Sequence, residues 1–99
     1  MKSLKNKSKI DELFTSNSKK IYTPTIKARF IAGDSEVLIS TPMKLFKRAV
    51  DRNRVKRLIR ESLKTKTNKG FTIALIYNST KIESLETIDG DIKKIFDKM

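Results

Sequence analysis

The stretch Met43–Lys66, MKLFKRAVDRNRVKRLIRESLKTK, decides the reading of this chain. It holds ten basic residues (Lys44, Lys47, Arg48, Arg52, Arg54, Lys56, Arg57, Arg60, Lys64, Lys66) against two acids, Asp51 and Glu61. If it were one helix, its apolar residues would share a face. At about 100° per residue they do not. Leu45, Phe46, Ala49 and Val50 fall on one side, while Val55, Leu58, Ile59 and Leu63 fall nearly opposite. The segment therefore splits into a turn or loop through Phe46–Val50 and a helix starting near Asp51. Asp51 is placed as its N-cap, where a carboxylate can accept the first free N–H groups. That helix runs to about Lys66, and Asn68-Lys69-Gly70 is a fitting stop.

The same helix divides its chemistry. Opposite the apolar stripe lie Asn53, Arg57, Arg60 and Lys64, spaced i, i+4, i+7, i+11, with Arg54 and Lys56 on the flanks. Like charges three and four apart repel, and only Glu61 is near to offset them. A polyanion would supply the missing negative charge. The guanidinium groups of Arg52, Arg54, Arg57 and Arg60 grip phosphate oxygens in a fork and stack on bases. The plain alternative is a solvated basic face on a core helix.

Working outward, Phe71–Tyr77 (FTIALIY) is a short, nearly continuous apolar run and reads as a buried central strand. Asn78–Leu85 reads as loop. Ile88, Ile92, Ile95 and Phe96 then set a helical stripe over about Thr87–Lys98. Before the basic stretch, Glu36–Thr41 reads as a strand ended by Pro42. Thr25–Ala32 alternates, with Ile26, Ala28, Phe30 and Ala32 on one face, and reads as a half-buried strand. Gly33-Asp34-Ser35 between these two is turn chemistry, and a hairpin is the expected connection. Ser18–Tyr22 is a short extended piece ended by Pro24. Ile10, Leu13 and Phe14 mark a short amphipathic helix at about Lys7–Ser16. The sum is α-β-β-β-α-β-α, an α+β two-layer sandwich in a single domain over residues 1–99.

Of 99 residues, 23 are Lys or Arg and 11 are Asp or Glu, a net charge of +12. The surplus sits mid-chain, since Lys81–Met99 holds four Lys against five acids. It implies a polyanionic partner, nucleic acid before an acidic membrane surface. The chain has no Cys and no His. That removes thiol nucleophiles, disulfides, thiolate or imidazole metal sites and the usual general base. Asp34, Glu36 and Asp51 lack the spacing of a carboxylate metal cluster, which argues against a protein-only nuclease. No catalytic residue and no metal ligand is assigned. No apolar run approaches the roughly 18 residues of a membrane span, and Met1–Ile10 lacks the apolar stretch of a signal peptide. A cytoplasmic protein without membrane contact is the expectation.

The run Ala49-Val50-Asp51-Arg52-Asn53-Arg54-Val55-Lys56-Arg57-Leu58-Ile59-Arg60-Glu61 resembles the RNR signature of the bacterial ribonuclease P protein subunit. That signature reads Ala-Val, a variable position, Arg-Asn-Arg, an aliphatic residue, Lys-Arg, two further positions and Arg-Glu or Arg-Gln. The resemblance covers almost the whole chain. It implies a sandwich like a ribosomal-protein domain, with a left-handed β-α-β crossover through the RNR helix, against the usual right-handed preference. It implies binding of a catalytic RNA by Lys44, Arg48, Arg52, Asn53, Arg54, Lys56, Arg57 and Arg60. It also implies a cleft for the single-stranded 5′ leader of precursor tRNA, lined by Ile10, Phe14, Lys27 and Arg29. Hydrolysis would be done by the RNA with its own magnesium ions. The protein would hold no cofactor firmly and would pair as a monomer with one RNA. Lys47 stands where Gly is usual before Ala-Val, and Ile10 stands where an aromatic is usual, so the loop and that part of the cleft depart from the pattern. A general RNA-binding module of ribosomal-protein type is the other reading that composition allows.

Overall fold

A computed structural model describes residues 1–15 and 18–99. Eight elements follow one another: β1 (Lys2–Ser3), α1 (Lys7–Leu13), β2 (Lys19–Tyr22), β3 (Ile26–Ala32), β4 (Glu36–Ser40), α2 (Ala49–Leu63), β5 (Phe71–Tyr77) and α3 (Leu85–Lys98). The expected order is present, with the two-residue β1 added ahead of it. Ser16, where the expected end of the first helix falls, lies outside the described residues.

One five-stranded sheet has the order β1-β4-β5-β3-β2. The expected hairpin between β3 and β4 is not formed. β5 lies between them, antiparallel to β3 (Arg29 opposite Ala74) and parallel to β4 (Leu38 opposite Ala74). The reason is burial. FTIALIY is apolar on both faces and is best satisfied with a strand on each side. The hairpin instead joins β2 and β3, where Thr23 N–H donates to the Ile26 carbonyl at 2.9 Å. Gly33-Asp34-Ser35 still turns the chain, with Ser35 at φ 60°, but carries it past the end of β5. The Gly33 N–H donates to the Gly70 carbonyl there at 2.9 Å, and a Cβ on Gly33 would overlap the Thr72 side chain.

The main core lies on one face of the sheet. Ile26, Ala28, Phe30, Val37, Ile73, Leu75 and Tyr77 meet Val55, Ile59 and Leu63 of α2 and Ile88, Ile92 and Ile95 of α3. Ala32, expected on this face, is exposed at the strand end. Asp91 on α3 is buried, and its Oδ2 accepts from Thr25 N–H (3.0 Å) and Thr25 Oγ1 (2.6 Å), tying α3 to the β2–β3 turn. Asp89 ties α3 to α2, accepting from Ser62 Oγ at 2.6 Å and Lys66 Nζ at 2.7 Å. These two bonds hold its carboxyl below the usual 3.8, Lys66 contributing most.

On the other face, Leu13 and Leu4 pack on Ala74, with Ile10, Ile31 and Leu38 around them. This seats α1 across part of that face and leaves the β2–β3 side open. Asn6 caps α1, its Oδ1 accepting from Ser8 and Lys9 N–H. Lys9 then bridges to Asp34 at 2.7 Å and Glu36 at 2.9 Å. The hydrogen bond to Asp34, then that to Glu36, pushes the Lys9 ammonium up to about 12.

Candidate nucleic-acid interface

α2 presents the basic stripe because its register is fixed by burial on the opposite side. Val55 and Ile59 are fully buried, and Leu63 nearly so. Helix geometry then turns Asn53, Arg54, Arg57 and Arg60 to solvent, and all four are exposed. None of their side chains makes a hydrogen bond or ion pair recorded among the described residues. Lys56 is half-buried, and Lys64 pairs with Glu61 at 3.0 Å.

The helix begins at Ala49, two residues before the expected start, with Arg48 at the N-cap position. Asp51 is therefore a first-turn residue and not the cap, which corrects the sequence reading. Arg48 makes no side-chain capping bond. Residues 43–48 are not helical, as the opposed apolar faces of this stretch require. Val50 is exposed, since it lies on the side of α2 away from the core. Lys44, Lys47 and Arg48 are exposed on the loop before the helix. Phe46 is buried and anchors that loop against Tyr77, ring centroids 6.0 Å apart. Arg52 does not simply face solvent. Its Nη1 donates to the carbonyls of Phe46 and Lys47, both at 2.8 Å.

The second set of expected residues meets on the other face of the sheet. Phe14, just past α1, is exposed, and the Arg29 guanidinium lies 5.4 Å from its ring centroid. Such a cation–π contact contributes on the order of 0.5–1 kcal/mol at an exposed site and orients both groups. Lys27 is exposed beside them, opposite Ile76 of β5. Ile10 is half-buried and packs with Leu4 and Leu13, so it supports α1 more than it lines open surface.

Two residues belong to this face that sequence reasoning missed. Lys20 lies opposite Arg29, and Tyr22 lies opposite Lys27, in the β2–β3 ladder. Directly opposed residues share a face, so Lys20 and Tyr22 extend the surface outward. Tyr22 is 60% exposed, the signature of a ring with no core to fill. The register of β2 was the missing signal, and it depends on the tight turn at Thr23–Thr25.

Two exposed rings among three cations, Lys20, Lys27 and Arg29, can stack bases and neutralise a phosphate chain. No group of three or more Asp, Glu, His or Cys is gathered for a metal ion among the described residues. Among the described residues no helix is long and apolar enough to cross a membrane.

The sequence model of the Ribonuclease P family matches residues 1–99. The chain belongs to the ribonuclease P protein family. Solved structures agree on the fold. The Thermotoga maritima ribonuclease P protein superposes with a TM-score of 0.85 at 17% identity, covering 100% of this chain and 98% of that one. The Staphylococcus aureus protein gives 0.81 at 18% identity, covering 99% and 94%. The T. maritima protein bound to 1-(4-fluorophenyl)-2-thiourea gives 0.78 at 18% identity, covering 91% and 92%. No curated relative matches by sequence. Membership gives the chain a role in ribonuclease P, hence in tRNA processing within a ribonucleoprotein whose partner is the ribonuclease P RNA.

Proposed function

We propose that this chain is the RNA-binding subunit of a ribonuclease P in which the RNA performs phosphodiester hydrolysis and the protein holds both that RNA and the 5′ leader of precursor tRNA. The observation that carries this reading is the two-sided distribution of cationic surface. The outward stripe of α2, with Lys44 and Arg48 before it, faces away from the main core. The Phe14–Arg29–Lys27 surface lies on the opposite face of the sheet. One protein can therefore touch two RNA segments at once.

On the α2 side, Arg54, Arg57 and Arg60 have uncommitted guanidinium groups for phosphate forks, with Asn53 beside them. On the other side, Phe14 and Tyr22 offer rings to unpaired bases, and Arg29, Lys27 and Lys20 offer charge to their phosphates. Such contacts need no base identity, as suits a substrate class with varied leaders. The protein holds no cofactor of its own. The metal ions of the hydrolysis belong to the RNA, and this chain's part is to bind and position.

The test is equilibrium binding to a bacterial ribonuclease P RNA, comparing the native chain with Arg57→Glu plus Arg60→Glu. Both side chains are exposed, so the fold should persist by circular dichroism. Affinity should fall about 100-fold or more, with a shallower dependence on salt. Unchanged affinity in a folded double variant would remove the α2 stripe from the interface.

A further inference from the structure

The first arginine of the basic helix has a role distinct from the other three. Arg52 is the fourth residue of α2 and reaches back over the helix start. Nη1 has two protons, and they go to two consecutive carbonyls of the preceding loop, Phe46 and Lys47, each at 2.8 Å. Arg52 is half-buried, whereas Arg54, Arg57 and Arg60 are exposed.

The loop it holds spans residues 42–48 and presents Lys44, Lys47 and Arg48 to solvent. At its end the Arg48 carbonyl accepts from the Asp51 and Arg52 N–H groups at 3.2 and 3.3 Å, while Lys47 has no hydrogen bond among the described residues except the one from Arg52. Phe46 is anchored through its ring, and the Leu45 N–H donates to the Pro42 carbonyl at 3.1 Å. The helix start lends no side-chain cap. A charge-assisted pair of bonds from a planar guanidinium is stronger and more directional than neutral ones. Losing it leaves two carbonyls for water and three cations without a fixed position.

We propose that Arg52 is a positioning residue, which locks the Pro42–Arg48 loop so that Lys44, Lys47 and Arg48 meet the RNA as one preformed unit with the start of α2. This rests on the RNA-binding reading above, but its first test does not.

In the free protein, trypsin cleavage after Lys47 and Arg48 reports loop opening. Arg52→Ala should speed it about tenfold, with α2 and the sheet retained by circular dichroism. An unchanged cleavage rate would overturn the proposal whether or not RNA binds. Should Arg52→Ala fail to fold, Arg52→Gln carries the same measurement with a shorter donor. The second test is a cycle of RNA affinities among the native chain, Arg52→Ala, the triple variant Lys44→Ala/Lys47→Ala/Arg48→Ala, and all four changes together. A positioning role makes the effects non-additive. Arg52→Ala alone should weaken binding about tenfold or more, yet change the triple variant by less than about twofold. A full further loss on top of the triple variant would mean that Arg52 grips the RNA itself. A native chain that does not bind the RNA would fail the functional reading while leaving the trypsin result to decide Arg52.

Discussion

Phe14 illustrates how much one exposed ring can be asked to do. It is 46% exposed with Arg29 over it, so it contributes little to the core. Phe14→Ala should cost about 1–3 kcal/mol in binding a precursor tRNA with a single-stranded leader, as for a lost base stack. The same change should leave affinity for leaderless tRNA and the melting temperature nearly unaltered. Equal losses with and without the leader would place Phe14 elsewhere in the function. Asp89 gives a pH test of stability. Its carboxyl is held below 3.8 by Lys66 and Ser62, so its contribution is present above that pH. It is lost as pH falls through the lowered value. Asp89→Asn should therefore lower the melting temperature near pH 7 and make progressively less difference as the pH drops below 3.8. The side chain is 43% exposed, which limits the effect to about 1 kcal/mol. A deficit that is the same at both ends of the range would show that the charge of Asp89 is not what matters.

Among the elements, α2 was legible where burial dictates the answer and not where capping does. The opposed apolar faces of Leu45–Val50 and Val55–Leu63 ruled out a continuous helix, because side-chain direction on a helix leaves no freedom to reconcile them. The start was misplaced by two residues because Asp51 has good capping chemistry, while the chain enters through Arg48 and takes its support from Arg52 reaching back. β5 was read residue for residue from its apolar run. Its neighbours were not, since a turn at Gly33-Asp34-Ser35 permits a hairpin and nothing local says that another strand will occupy the gap. Tyr22 and Lys20 were missed for a related reason: the face they share with Lys27 and Arg29 exists only once β2 and β3 are in register. Gly33 tests the strand insertion. The side chain of Thr72, on β5, fills the space beside it, so Gly33→Ala should destabilise the fold by about 1–3 kcal/mol in a denaturant titration, as overpacking does. Stability equal to that of the native chain would contradict the close approach of β5 to this turn.

The molecule as a whole sets a thin apolar interior beneath an ionic surface, with a net charge of +12 on 99 residues. Its parts are arranged around the sheet: α2 and α3 seal one face, and α1 covers only part of the other. That asymmetry leaves one cationic surface on the outside of a helix and another beside an open stretch of sheet. A protein that bridges a ribozyme and its substrate needs two such surfaces. The most direct measurement is cleavage of precursor tRNA by a bacterial ribonuclease P RNA at low magnesium, with and without this protein, beside a control holding protein and substrate alone. The account predicts that cleavage at the mature 5′ end is restored only when RNA and protein are both present. Cleavage by the protein alone would contradict it by placing the chemistry in the chain. A folded protein that binds its RNA yet gives no stimulation would also contradict it, leaving a general RNA-binding module in its place.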